Sequence, residues 1–301
     1  MSMPARTAAR VDPAAVAELV RLVQRNKAIL DAVRLAQARL ALARARLATP
    51  DPWGEAEPLV SVRIATFDRP ALLIARAIAS ARRQTHRRLE IVVVGDHASP
   101  ATAAALAEVD DARIRYHNLP ARPPYPRFPK AFWATAGVHA MNAALDRCRG
   151  AWIAPLDDDD EFSDDHVEVL LAAARARRLE MVYGRMAAEA ADGAWREIGR
   201  EPLQGGQICH SAVLYSARLL CLRYDPFAWL EDDPGDWNLW KRMIAVGATI
   251  GFLPRVVGRH YAEHTSVSAT DRAALYSRVA SPEETLADVM ATGGAHLLAL
   301  A

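Results

Sequence analysis

Four consecutive aspartates, Asp157–Asp160, end the apolar run in WIAPLDDDDEF, residues 152–162. Neighbouring like charges raise the cost of ionising one another, so a run set directly after apolar residues calls for an offsetting positive charge. Helix capping is one reading: the segment SDDHVEVLLAAARARR that follows forms a helix, and an acid or Ser163 at its start explains Asp164 and Asp165. It leaves the four preceding acids unexplained. A hard divalent cation explains them, because Mg2+ or Mn2+ takes carboxylate oxygens, keeps several waters and is often shared with substrate phosphates. A calcium loop is excluded by spacing: counted from Asp157, the sixth position is Phe162 where a glycine is needed. A second acidic group, Glu231, Asp232, Asp233 and Asp236, stands ahead of the helix-forming WNLWKRMIAVG, with Asp236 at the N-cap position.

The aspartate run has to be delivered by regular elements, and strand and helix patterns alternate before it. LVSVRIATF (59–67) is β-rich and is followed by an amphipathic helix with Pro70 in its first turn. RLEIVVVGD (88–96) is a continuous apolar strand of the kind buried on both faces of a parallel sheet. A helix over about 100–109, a strand over 112–119 and a helix over about 137–148 lead into the strand AWIAPL. This alternation implies right-handed βαβ units and an open α/β sheet, whose ligands bind outside the carboxyl ends of the strands. Three such ends carry polar clusters, TFDR, GDHAS and DDDDE, and one site can collect all three.

Outside this region, residues 13–48 are rich in Ala, Leu and Arg and contain no Gly, which predicts one long helix. A 3-4 spacing through Val16, Leu19, Val23, Asn26, Leu30, Val33, Gln37, Leu40, Arg44 and Leu47 gives it a seam to pack on its own domain or on the same helix of a second copy. Residues 1–50 hold nine Arg/Lys against three acids, so its basic face also suits a peripheral contact with anionic lipid. TPDPWGEAEP reads as a linker, which divides the chain into a helix over 1–50, a linker over 51–58, a main domain over 59–270 and a helical tail over 271–301. A net charge of +1 argues against a nucleic-acid partner. Three cysteines without a CxxC pair point to a reducing, cytoplasmic setting. The sequence has neither a signal-peptide pattern nor a run of about 18 apolar residues able to span a bilayer.

Four segments in order, PLVSVRIATFDRPALLIARAIASARRQTHRRLEIVVVGDHAS, AMNAALDRCRGAWIAPLDDDD, ICHSAVLYSARLL and GDWNLWKRMIAVG, resemble the family 2 inverting nucleotide-sugar glycosyltransferases of the GT-A fold. The resemblance spans about residues 58–268 and implies a mixed, mostly parallel sheet flanked by helices. Its nucleotide-binding half would cover 59–160 and its acceptor half 161–270. It implies transfer of a sugar from a nucleoside-diphosphate donor to an acceptor hydroxyl. Residue by residue, Thr66, Phe67, Asp68 and Arg69 fall beside the nucleotide base, and Asp96 accepts from a base N–H. Gly95 departs from the family's more usual second acid. Asn142 matches a conserved helix position of the family, with Met141 replacing the Arg that normally accompanies it. The aspartate run matches the motif that holds Mn2+ or Mg2+ on the donor diphosphate: Asp159 and Asp157 as ligands, Asp158 against ribose, Asp160 in support.

Single displacement requires charge neutralisation on the departing diphosphate and a base for the acceptor hydroxyl. The resemblance selects Asp236 as that base, with Asp232 and Asp233 as alternatives under a shifted register. It matches His264, in preference to His260, to a histidine that closes the metal sphere, and places His210 on the acceptor side. The segment 119–136 holds five Pro and the aromatics Tyr125, Phe128, Phe132 and Trp133, and it is longer than the family's usual connection. It reads either as a stiff surface loop or as a lid and sugar platform, with Arg127 and Lys130 in reach of phosphate. Two competing functions follow from the same residues. One is nucleotidyl transfer, which normally needs a Gly-rich loop that ATFDRPA lacks; the other is a degenerate sugar-nucleotide-binding or scaffold module.

Overall fold

A computed structural model describes residues 12–49, 51–190, 192–262 and 277–299. Nine strands form one mixed sheet: β1 (Val60–Thr66), β2 (Leu89–Gly95), β3 (Ile114–Asn118), β4 (Trp152–Asp157), β5 (Glu161–Phe162), β6 (Met181–Glu189), β7 (Trp195–Ile198), β8 (Val213–Ser216) and β9 (Ile250–His260). Their order is β3-β2-β1-β4-β8-β6-β9-β5, with β7 added to β6. β3, β2, β1 and β4 run parallel; β8 turns the sheet by pairing antiparallel with β4 and β6. The register sets Thr66 beside Gly95 and Ala65 beside Asp157, so the three parallel strands end level. Whatever follows those ends converges on one edge.

Alternation along the strands divides the core. Val60, Val62 and Ile64 face Leu73, Ile78, Val167 and Leu170, beneath the helical segment 70–82 and the helix His166–Arg177. The opposite face packs Ile153, Tyr183 and Tyr215 against Val138, Leu145, Leu239 and Trp240 of the helices Val138–Leu145 and Gly235–Ala245. Ser61 and Arg63 of β1 belong to this second face by the same period of two.

The long helix α1 (Pro13–Ala48) is capped by Asp12, whose carboxylate accepts from Ala14 N–H at 3.0 Å. Its buried stripe follows the expected seam at Val16, Val23 and Asn26 and then leaves it for Ala38 and Leu42. Val16, Val23, Asn26, Lys27, Ala38 and Leu42 are buried, whereas Val33, Leu40 and Leu47 face outward. Polar contacts set this rotation. Asn26 donates to Leu297 C=O at 2.7 Å, and Lys27 Nζ sits among Asp31, Asp225 (2.7 Å) and Glu231 (2.7 Å). Arg46 makes a two-pronged contact with Glu180 at 2.8 and 2.7 Å, and Arg39 caps the carbonyl of Ala245.

The linker-like stretch is fastened to the domain, Trp53 Nε1 donating to Leu179 C=O at 2.8 Å. Within the Pro/aromatic segment, Pro129–Thr135 is helical where sequence composition suggests a loop. Its first turn has no cap of its own. Asp288, from the C-terminal helix Pro282–Ala291, supplies one from 160 residues away, accepting from Arg127 N–H at 2.7 Å and Phe128 N–H at 2.9 Å. The helix Pro282–Ala291 is thus fastened to the Pro/aromatic segment.

Candidate active site

The turn after β1 is wired to the aspartate turn after β4. Thr66 Oγ1 donates to Asp158 at 2.6 Å, and Arg69 bridges Asp158 and Asp159, one guanidinium nitrogen to each, both at 2.6 Å. Asp68, in the left-handed region at φ 49°, accepts instead from Ser99 N–H at 2.6 Å and ties this turn to the one after β2. That bond holds the Asp68 carboxyl below its ordinary range. Of the four residues expected beside the base, Thr66 is buried and Phe67, Asp68 and Arg69 are exposed; the Arg122 guanidinium lies 3.6 Å from the Phe67 ring centre. Asp96, at the end of β2, is 3% exposed, and its Oδ1 makes no hydrogen bond of good geometry among the described residues, although the Tyr125 hydroxyl lies close enough to interact with the carboxylate. Burial raises its pKa. An orphaned carboxylate oxygen beside an aromatic face is suited to a ligand N–H. Gly95 is required here on steric grounds: a Cβ would meet Asn118 Oδ1 at 2.5 Å and Tyr116 OH at 2.6 Å, leaving no room for a second acid.

The four aspartates alternate in direction. Asp158 and Asp160 turn inward, their side chains 2% and 1% exposed, while Asp157 and Asp159 are 31% and 18% exposed. Burial pushes Asp158 up to about 6, against the opposing pull of Arg69. Asp160 accepts from Ser211 Oγ at 2.7 Å and from His260 Nδ1 at 3.0 Å. That bond to Asp160 raises His260 to about 9, so the imidazole is a cation at neutral pH. His264 lies outside the described residues; among the described residues, His260 at the end of β9 and His210 both stand against the run. Asp157 and Asp159 offer hard oxygens on alternate residues of one turn, which fits a Mg2+ or Mn2+ ion that draws its remaining ligands from diphosphate and water. Among the described residues one trio of acids lies close enough to share an ion, Asp31, Asp225 and Glu231, and the Lys27 ammonium already fills it.

Asp157 is held from behind by groups that sequence reasoning passes over. Arg63, wholly buried on β1, donates from Nη2 to His210 Nε2 at 2.7 Å and to Tyr224 OH. A guanidinium can only donate, so Nε2 accepts and Nδ1 carries the ring proton. His210 therefore donates to Asp157 Oδ1, at 2.7 Å. Although burial disfavours its charge, Asp157 is kept well below the usual carboxylate range by His210 and, behind it, Arg63. Asn142 spends its amide on the backbone of Tyr224, with contacts of 2.8 and 2.9 Å, so its place in the site is to fix that tyrosine. A single arginine in an apolar strand gives no signal of such a role, since its partners lie 147 and 161 residues away.

The second acidic group separates cleanly. Glu231 pairs with Lys27, Asp232 with Lys130 and Asp233 with Lys241. Asp236 has no ion pair among the described residues and accepts only from its neighbour Trp237 N–H at 2.7 Å. It sits in the first turn of the helix Gly235–Ala245, whose N-cap is Pro234, not at the cap position itself. Burial raises its pKa, and the nearby Asp157 carboxylate adds to that rise.

Level parallel strand ends, a crossed second half and acids gathered along one edge define a GT-A type α/β protein. The sequence model described as Glycosyl transferase family 2 matches residues 61–124 and 133–223, more than half of the chain, and the chain belongs to that family. The match breaks inside the Pro/aromatic segment, and Asp236 and His260 lie beyond it. Among curated relatives, Protein CgeD of Bacillus subtilis is 26% identical over 200 residues, 61% of this chain and 46% of its own length. Chondroitin synthase of Escherichia coli is 29% identical over 201 residues, 63% of this chain and 27% of the synthase. The chain therefore spans less than half the length of either relative. Among solved structures, S. aureus TarS in complex with UDP-GlcNAc superposes with a TM-score of 0.52 at 13% identity, covering 76% of this chain and 64% of TarS. Mannosyltransferase PcManGT from Pyrobaculum calidifontis, in complex with GDP-Man and Mn2+, gives 0.51 at 17% identity, covering 92% and 85%. Likeness at this level establishes the fold.

Proposed function

We propose that the protein is a metal-dependent inverting glycosyltransferase, moving a sugar from a nucleoside-diphosphate donor to an acceptor hydroxyl by single displacement. The observation that carries this reading is Asp236: a carboxylate without an ion pair, raised in pKa by burial, electrostatically coupled to the aspartate turn. A base of that kind accepts a proton more readily than an ordinary surface aspartate. Asp232 and Asp233 are already committed to lysines, which favours Asp236 among the three candidates.

In this reading Phe67 and Asp96 receive the base, the aromatic ring by stacking and the free Oδ1 by accepting a ring N–H. Asp157 and Asp159 hold the cation; Asp158 and Asp160 are the inward struts that orient them. When bound, Mn2+ or Mg2+ offsets the charge that builds on the departing diphosphate. Asp236 takes the acceptor proton as the hydroxyl attacks from the side opposite the leaving group. That two structural neighbours are described with UDP-GlcNAc and with GDP-Man and Mn2+ supports a nucleotide-sugar donor and a divalent ion. The reading is tested by following the anomeric configuration of the product by NMR: inversion is expected, and retention contradicts single displacement.

A further inference from the structure

α1 is apolar on its outward face as well as along the buried Val16, Val23, Ala38 and Leu42. Its inward face carries Asn26, Lys27 and Asp31, and its outward face carries Ile29, Val33, Leu40 and Leu47 at 53, 50, 53 and 82% exposure. With the exposed Ala36 and Ala43 these residues keep a strict 4-3 spacing, an apolar stripe about 27 Å long at 1.5 Å per residue. Its margins are basic. Between Asp31 and Asp51 the chain has no acid, but it has Arg34, Arg39, Arg44 and Arg46. Arg39 and Arg46 reach back to the domain, while Arg25 and Arg44, exposed beside the stripe, have no ion pair among the described residues.

We propose that this face of α1 lies on an anionic lipid surface. Charge decides between the two occupants an exposed apolar stripe could take. A second copy would set arginine margins against arginine margins, with no acid along the stripe to offset them. Phosphate headgroups complement the margins while the aliphatic side chains enter the acyl boundary. The helix would lie in the interface and not cross it, for among the described residues no helix is long and apolar enough to span a membrane. Its buried lysine cluster keeps the opposite side on the domain.

The test is co-sedimentation of the full chain with vesicles of phosphatidylcholine alone or mixed with phosphatidylglycerol. Binding to the anionic vesicles, weakened by salt, is expected. Val33→Glu/Leu40→Glu should abolish it, and Arg25→Glu/Arg44→Glu should lower it roughly tenfold or more, with the thermal midpoint and nucleoside-diphosphate binding of both variants unchanged. The proposal is overturned if the wild-type chain stays in the supernatant, or if the variants sediment as it does. It is equally overturned if ultracentrifugation shows a dimer that Val33→Glu/Leu40→Glu dissociates, which would make a second copy the occupant.

Discussion

Each acid around the crevice owes its role to the partner it has or lacks. Asp232 and Asp233 are paired with lysines, whereas Asp236 has no ion pair among the described residues and is the base proposed above. Asp236→Asn should lower transfer by roughly 10²–10⁴-fold while nucleoside-diphosphate affinity, measured calorimetrically, changes little. His210 acts through Asp157. His210→Phe should weaken divalent-dependent nucleotide binding by roughly 10–100-fold, and His210→Gln, which retains a donor, should recover part of the loss; equal effects from both would mean simple packing. His260 has its pKa raised from 6.5 to about 9, so its bond to Asp160 adds stability that is complete below about pH 6.5 and fades as pH rises through 9. His260→Gln should accordingly lower the thermal midpoint at about pH 6 more than at about pH 10. The aspartate run and the group 231–236 were legible because acids ahead of a helix or after a buried strand are costly anywhere else. Arg63 and the bond between His260 and Asp160 were not, because each depends on residues a hundred or more positions distant.

The alternation of β1 to β4 with helices was readable from apolar runs, whereas the strand order and the register that levels the ends of β1, β2 and β4 depend on pairings between distant segments. The rotation of α1 was not readable either. Its aliphatic periodicity marks the outward stripe as strongly as the inward one, and the choice falls to Lys27 and Asn26, whose partners come from residues 225–231 and 297. Lys27→Ala would leave three carboxylates facing one another, at a cost of about 3–5 kcal/mol in urea unfolding. Because those oxygens already lie within 4.8 Å of one another, Ca2+ should restore part of that loss in the variant and none in the wild type. At the other end, Asp288→Ala removes the acceptor of two amides at the head of Pro129–Thr135. Charge-assisted bonds of this type are worth about 1.5–3 kcal/mol each. The variant should be less stable and should bind donor nucleotide more weakly, because the same segment carries Arg122, which lies over the Phe67 ring.

Across the whole molecule, in the function proposed above, the parallel half would supply the donor site and the crossed half the base, with α1 and the C-terminal helix packed on the outside. The alternation of strand and helix patterns anticipated the α/β class, whereas the bracing contacts were hidden because each joins segments far apart in sequence. The sugar, the base and the acceptor are set by side chains around Phe67, Asp96 and Asp236 that recognise shapes a sequence does not display. The most direct test of the account is turnover of a panel of UDP-, GDP- and dTDP-sugars by the wild-type chain and by Asp236→Asn, each with Mn2+ and with chelator. The account predicts nucleoside-diphosphate release coupled to sugar transfer by the wild type with Mn2+, its loss on chelation, and a variant that binds the nucleotide but does not transfer. Undiminished transfer by Asp236→Asn, or by the wild type in chelator, would contradict it.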